Sequence, residues 1–171
     1  MHPPNAPEII KPASMKFIVF SLFAGLMLNL LPWTGWALTL RPDFVALVLL
    51  YWSIRQPRAL GFGTAWLMGL MMDVADGILL GQHAFAYILT LFVALSLHRR
   101  IRRFGLWQQA LHILLLLLLM QSVLLLVRLT AGPALWGADF FLSSLTGAAI
   151  WPFLNRTIQM PLPGASNPDA G

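Results

Sequence analysis

The chain has 171 residues, of which 58% are hydrophobic and only 10% are charged, against about a quarter in a typical soluble domain. Its mean hydropathy of +0.76 exceeds what one soluble core of this length can bury. This composition excludes a disordered chain, a coiled coil and a typical cytosolic enzyme, and it favours an integral membrane protein. The absence of cysteine also excludes disulfides, thiolate metal sites and cysteine nucleophiles.

Apolar segments follow one another along the chain and predict an all-α, polytopic protein with six transmembrane helices in one bundle. The segments are separated by turn-forming residues such as Pro32, Pro57 and Gly105. We place the spans at 16–31, 42–56, 59–75, 83–98, 107–128 and 138–155. The predicted domains are a transmembrane domain over 16–156 and flexible cytoplasmic tails over 1–15 and 157–171, which are rich in proline and polar residues.

The positive residues predict the orientation of this bundle. With the N-terminus in the cytoplasm, only Arg41 and Arg128 lie outside, while nine cationic residues lie inside: Lys11, Lys16, Arg55, Arg58, Arg99, Arg100, Arg102, Arg103 and Arg156. Both termini are therefore predicted to be cytoplasmic. The same asymmetry accounts for the net charge of +5, so we expect no binding of nucleic acid.

The densest basic segment lies between the fourth and fifth spans. It contains Arg99, Arg100, Arg102 and Arg103, and Trp107 and Gln108 follow it. A cluster of this kind beside a membrane span is typical of a topology anchor that also contacts anionic lipid. A docking surface for a cytoplasmic partner is the alternative interpretation.

Charged residues within the spans predict a polar site in the outer half of the membrane, formed by Arg41, Asp43, Asp73 and Arg128. Arg41, Pro42 and Asp43 are placed at the start of the second span, where proline suits the first turn and aspartate the positive end of the helix. Asp73 follows an apolar run, at a depth where a carboxylate facing lipid is costly. An ion or proton site is one interpretation, but we favour a structural role with Arg41, Arg128 or backbone amides as partner. Among these we expect Arg41 and Asp73 to pair.

Small residues four positions apart in the third span predict a close contact with a neighbouring helix. This series runs through Gly61, Ala65, Gly69, Asp73 and Gly77. A shorter series in the last span runs through Asp139 and Ser143 to Gly147.

The sequence contains no recognisable set of catalytic, cofactor-binding or metal-binding residues. His83, His98 and His112 are predicted at different depths, and no HExxH motif or pair of carboxylates is present. The serines within the spans have no acid–base pair nearby in sequence. We therefore predict a protein that is not an enzyme and uses no cofactor.

Several of these segments occur in an order and spacing that resembles the rod-shape-determining protein MreD family, in its proteobacterial branch. They are Arg41-Pro42-Asp43 leading into Leu49-Leu50-Tyr51-Trp52, Pro57, Gly63 through Gly69 to Asp73, Gly77 with Leu80-Gly81, Trp107-Gln108-Gln109-Ala110 and Trp151-Pro152. The resemblance covers about residues 16–156. Both tails depart from the shorter, basic-ended pattern of the family.

The resemblance implies a non-enzymatic scaffold of the cell-elongation machinery, or elongasome, in the bacterial inner membrane. Such a protein maintains rod shape by organising lateral peptidoglycan synthesis. MreC is implied as the nearest partner, and MreB, RodZ, RodA and the transpeptidase that works with RodA are implied in the wider complex. A fold similar to the substrate-binding subunits of vitamin transporters is also implied.

The alternative function is that of a substrate-binding subunit of a small-molecule, vitamin-type transporter. It requires a polar pocket open to the outside, which Arg41, Asp73, Gln82 and His83 could line. The first span, however, lacks the Ala-xxx-Ala pattern expected for packing against a transporter partner. A lipid-processing enzyme, as a third class, lacks a nucleophile with a base.

Overall fold

The computed structural model describes residues 13–78, 80–131 and 138–159, which are helical almost throughout and contain no β-strand. The helices are α1 (Met15–Leu30), α2 (Trp36–Leu40), α3 (Phe44–Arg55), α4 (Phe62–Asp76), α5 (Gln82–Ile101), α6 (Leu106–Ala131) and α7 (Leu142–Gln159), with a 3-10 helix at Ala138–Phe141. The predicted all-α fold is confirmed.

Three of the helical stretches are long and apolar enough to cross a membrane, namely Trp36–Arg55, Gln82–Ile101 and Leu106–Thr130. The first of these joins α2 to α3, because α3 alone has 12 residues and is about 18 Å long, against about 30 Å of hydrocarbon. Met15–Leu30 is a shorter apolar helix. The chain is a polytopic helical membrane protein, and each of the six predicted spans corresponds to one of the helices.

The largest difference from the predicted spans lies in the second, where the chain leaves helical geometry between α2 and α3. Pro42 precedes the helix instead of lying in its first turn. Asp43 is the N-cap residue of α3, and its carboxylate accepts a hydrogen bond from the Ala46 amide at 3.0 Å.

A second difference concerns the C-terminal tail, because α7 continues to Gln159. The remainder of both predicted tails, 1–12 and 160–171, lies outside the described residues.

Helix α3 is the centre of the bundle and packs against α1, α5 and α7. All its residues from Val45 to Ile54 are buried, as expected for a helix that is apolar on every face. Its aromatic side chains connect the neighbouring helices. The Trp52 indole Nε1 donates to Ser21 Oγ of α1 at 2.8 Å, and the Tyr51 ring lies 6.2 Å from the ring of Trp151 on α7.

Charged residues are segregated between the two ends of this bundle. The basic end comprises the N-terminus of α1, the C-termini of α3, α5 and α7, and the connections beside them. It holds Lys16, Arg55, Arg58, Arg99, Arg100, Arg102, Arg103 and Arg156. The opposite end, called the polar end below, holds Arg41 and Arg128 and the acidic residues whose side chains the structure describes, Asp43, Asp73 and Asp76. Successive long helices therefore run in alternating directions.

The closest helix contact lies between α4 and α5, at Gly69. A Cβ atom on this glycine would lie 2.3 Å from the Cα atom of Ala84, so no larger residue fits without a backbone shift. Ala65, one turn earlier, is fully buried. On α7, a Cβ atom at Gly147 would lie 2.7 Å from Leu117 Cδ1 of α6. These three small residues lie where the helices approach one another.

Two other members of the predicted small-residue series have different roles. Gly61 is the N-cap residue of α4 and is exposed, and a Cβ atom there would meet only Gly63 of the same segment, at 4.0 Å. Gly77 ends α4 in the left-handed conformation with φ of 63°, and a Cβ atom there would have no neighbour within 4 Å among the described residues. The predicted packing role is therefore wrong for Gly61 and Gly77, because α4 begins after the first and ends before the second.

We expect Gly69→Ala to lower the free energy of unfolding by about 1–3 kcal/mol, since the added methyl group meets backbone atoms that cannot rotate away. Gly63→Ala is the matched control, because Gly63 lies on the same helix and a Cβ atom there has no neighbour within 4 Å. Unfolding in mixed detergent micelles measures both changes. Equal stability of the two variants would contradict the close contact of α4 with α5.

Candidate functional site at the polar end

The Asp43 carboxylate joins three helices at the polar end. Its Oδ1 atom accepts hydrogen bonds from Asn29 Nδ2 of α1 at 2.9 Å and from the Ala46 amide. Its Oδ2 atom accepts from the Tyr87 hydroxyl of α5 at 2.6 Å. Asn29 completes the connection, because its Oδ1 atom accepts from the Phe44 amide at 2.9 Å. The start of α3 is thereby fixed against both neighbouring helices.

The Asp73 carboxylate organises the turn from α4 to α5. The residue is fully buried, with 0% of its surface exposed. It accepts hydrogen bonds from the Gly81 amide at 2.7 Å and from the His83 amide and ring Nδ1, both at 2.9 Å. Gly81 has φ of 104°, a conformation that favours glycine and that accompanies the return of the chain over the carboxylate. Asp73 thus satisfies amides at the N-terminus of α5, where a negative charge is stabilised.

The predicted pair of Arg41 and Asp73 is not formed. Arg41 Nη1 instead donates to the Asn29 carbonyl oxygen at 2.6 Å. The turn after α4 brings the Gly81 and His83 amides to Asp73, and they occupy both of its carboxylate oxygen atoms. Of the partners considered from the sequence, backbone amides are the ones that the structure shows. Arg128, the other candidate, donates from Nε to Gln82 Oε1 at 3.3 Å and lies 5.7 Å from the centre of the Phe140 ring.

A cavity of about 410 Å³ lies between α1, α2, the N-cap of α3, α4, α5, α6 and α7 at the polar end. Its polar lining comprises Asn29, Thr39, Arg41, Asp43, Asp76, His83, Gln121, Arg128 and Ser143, and its apolar walls include Leu38, Leu124 and Phe140. Of the four residues expected to line a transporter pocket, Arg41 and His83 line this cavity. Asp73 and Gln82 do not, because they are buried among the side chains and amides behind it.

The residues of this region that were not singled out in the sequence include Asn29, Asp76, Tyr87 and Gln121. Gln121 Nε2 donates to the Phe140 carbonyl oxygen at 3.0 Å and also bonds Ser143 Oγ, so it joins α6 to α7. Asn29 and Gln121 are isolated polar residues in long apolar helices. That signal indicates a side chain facing the bundle interior, but it does not name the partner.

The basic end presents its charges on the surface. Arg99, Arg100, Arg102 and Arg103 are exposed, as are Gln108 and Trp107, whose exposed fraction is 81%. The next residue, Gln109, is buried instead and closes the turn by donating from Nε2 to the Phe104 carbonyl oxygen at 2.9 Å. The predicted contact of the exposed group with lipid or with a cytoplasmic partner stays a prediction.

The fold and this site define a polytopic helical membrane protein whose charges are segregated and whose polar end contains hydrogen-bonded carboxylates beside an open cavity. The family model described as rod shape-determining protein MreD matches residues 12–160, so the chain belongs to the MreD family, and the resemblance found in the sequence is confirmed. The Rod shape-determining protein MreD of Haemophilus influenzae is 27% identical over 139 residues, which cover 81% of this chain and 86% of that protein. No solved structure matches the chain.

We expect Asp73→Asn to destabilise the protein by about 2–3 kcal/mol, because an amide in that position cannot accept hydrogen bonds at both of its former oxygen atoms. Asp76→Asn, three residues later, is the matched control. Its carboxylate is partly exposed and lies 3.8 Å from His83 Nε2, so we expect a loss below about 1 kcal/mol. Unfolding in mixed micelles distinguishes the two variants.

The same measurement tests the separation of Asp73 from Arg41. Because these side chains share no hydrogen-bond partner, Asp73→Asn and Arg41→Ala should be additive within about 0.5 kcal/mol. A larger coupling energy would contradict this separation and support the direct pair of Arg41 and Asp73 that was predicted from the sequence.

Proposed function

We propose that this protein is a non-enzymatic scaffold of the cell-elongation machinery in the bacterial inner membrane, which maintains rod shape by organising lateral peptidoglycan synthesis with MreC. The observation that carries the proposal is the match of the MreD family model to residues 12–160, a range that includes every described helix. The name of the Haemophilus influenzae relative describes a determinant of rod shape. MreB, RodZ, RodA and its partner transpeptidase belong to the proposed wider complex.

The segregation of charge supports an orientation for this scaffold. Cationic residues are retained on the cytoplasmic side of a membrane, which supports a cytoplasmic location for the basic end. In the proposed orientation both termini are cytoplasmic and the polar end faces outward. The exposed arginines before α6 and the exposed Trp107 would meet anionic lipid or cytoplasmic members of the complex.

Helix α1 supports a contact with the membrane segment of MreC. It packs mainly against α3, so much of its circumference is left at the surface of the bundle. Val19, Phe20 and Phe23 are exposed there, and with Met15 and Lys16 they form an open apolar surface on α1. A single transmembrane helix could pack against this surface without displacing any helix of the bundle. We therefore propose this face of α1 as the MreC contact.

The absence of native cysteine allows a direct test by disulfide cross-linking. We expect Phe20→Cys to form a disulfide with at least one position of a cysteine scan through the MreC membrane segment. Leu111→Cys is the control. Leu111 is 57% exposed, against 67% for Phe20, and each is the sixth residue of its helix counted from the basic end. The control should give several-fold less adduct, read on non-reducing gels after oxidation in native membranes.

Co-purification after mild detergent extraction distinguishes the proposed scaffold function from the alternative, a transporter subunit. MreC in the eluate supports the scaffold, whereas an energising module of a transporter would support the alternative. Retention of MreC with equal cross-linking at both cysteines would overturn the α1 contact alone. Absence of MreC from the eluate would contradict the proposed function.

A further inference from the structure

The cavity at the polar end contains one cationic and one anionic group that the fold leaves open to a ligand. In the described part of the chain, Arg41 makes a hydrogen bond with the Asn29 carbonyl oxygen through Nη1, and the other N–H donors of its guanidinium remain available. The Asp76 carboxylate is partly exposed and lies 3.8 Å from His83 Nε2, and it interacts electrostatically with Arg128, which also lines the cavity. Both side chains line the same cavity.

The second acid of the lining, Asp43, is already occupied by protein donors. Both of its oxygen atoms accept hydrogen bonds, from Asn29, Ala46 and Tyr87. A cationic group entering the cavity would therefore meet Asp76 in preference to Asp43. Because Asp43 is occupied and Asp76 on α4 is partly exposed, the positive end of a ligand would lie at Asp76. Its negative end would lie at Arg41.

The two arginines of the lining, Arg41 and Arg128, balance its two carboxylates, Asp43 and Asp76, while the His83 ring contacts the buried Asp73. A ligand of net charge would upset this balance in a partly dehydrated site, where an uncompensated charge is costly. A zwitterion preserves the balance. The volume of about 410 Å³ lies within the range of small-molecule sites, about 300–1,000 Å³.

We propose that this cavity binds a phosphoethanolamine group, with its phosphate on Arg41 and its ammonium on Asp76. A guanidinium matches the geometry of phosphate oxygens, and a carboxylate is the natural acceptor for a primary ammonium. The apolar walls at Leu38, Leu124 and Phe140 suit the glycerol and first methylenes of a lipid. The group can come from an ethanolamine phospholipid of the membrane or from a free phosphoethanolamine ester. The inference is independent of the contact with MreC.

The test uses the full-length protein in detergent micelles and short-chain phospholipids with ethanolamine, glycerol or choline headgroups. Native mass spectrometry measures the dissociation constant of each. We expect the ethanolamine lipid to bind about tenfold more tightly than the other two, a difference of about 1.4 kcal/mol. Arg41→Gln should weaken all three, whereas Asp76→Asn should remove the preference for ethanolamine. Arg58→Gln, at the exposed basic end, is the control and should change nothing.

Glycerophosphoethanolamine, a soluble diester with the same zwitterionic group and no acyl chains, distinguishes the two sources. Binding as tight as that of the lipid assigns the site to a soluble zwitterion, and much weaker binding assigns it to a lipid headgroup. Asp76→Asn is the decisive variant, because a partly exposed carboxylate can be replaced without loss of the fold. A melting temperature of the ligand-free variant close to that of the unchanged protein verifies that the fold is kept. No saturable binding, or a preference for ethanolamine that survives Asp76→Asn, would overturn the proposal.

Discussion

The hydrocarbon core of a bilayer does not accept uncompensated charge, and this constraint organises the whole molecule. Among the described residues, cationic side chains are concentrated at the basic end, and the acids lie at the polar end with two arginines. Between the ends, α3 is enclosed by α1, α5 and α7 and contributes an apolar core. Helix α3, at about 18 Å, is shorter than the roughly 30 Å of hydrocarbon, and charged residues directly precede it. The cavity at the polar end lies around this N-terminus.

Two carboxylates, the half-buried Asp43 and the buried Asp73, stabilise the helix starts at the polar end. A helix that starts inside a membrane exposes backbone amides with no water to satisfy them, which is costly in hydrocarbon. Asp43 accepts from an amide of α3, and Asp73 accepts from amides at the start of α5. Each acid is therefore committed to the protein backbone. Arg41 and Asp76, in contrast, keep part of their hydrogen-bonding capacity for the cavity.

The positions of the spans could be predicted from the sequence, because hydropathy and helix-breaking residues depend on local composition. The partners of the charged residues could not. The predicted depths of Arg41 and Asp73 in the membrane are similar, which is why a pair was expected. In the structure, the turn at Gly81, which has the left-handed conformation, instead provides amide donors for the Asp73 carboxylate. The roles of Asn29 and Tyr87 depend on contacts between helices distant in sequence. The small-residue series was informative at Gly69, within α4, and misleading at Gly61 and Gly77, which cap it.

The central claim is that the bundle crosses the membrane with its basic end in the cytoplasm and its polar end outside. Single cysteines in the otherwise cysteine-free chain test it directly through labelling with a membrane-impermeant maleimide in spheroplasts with an intact inner membrane. Leu80→Cys, at a position that is 63% exposed at the polar end, should be labelled, while Arg102→Cys, exposed at the basic end, should be labelled only after permeabilisation. Labelling of Arg102→Cys, but not of Leu80→Cys, before permeabilisation would contradict the orientation and move the cavity to the cytoplasmic side.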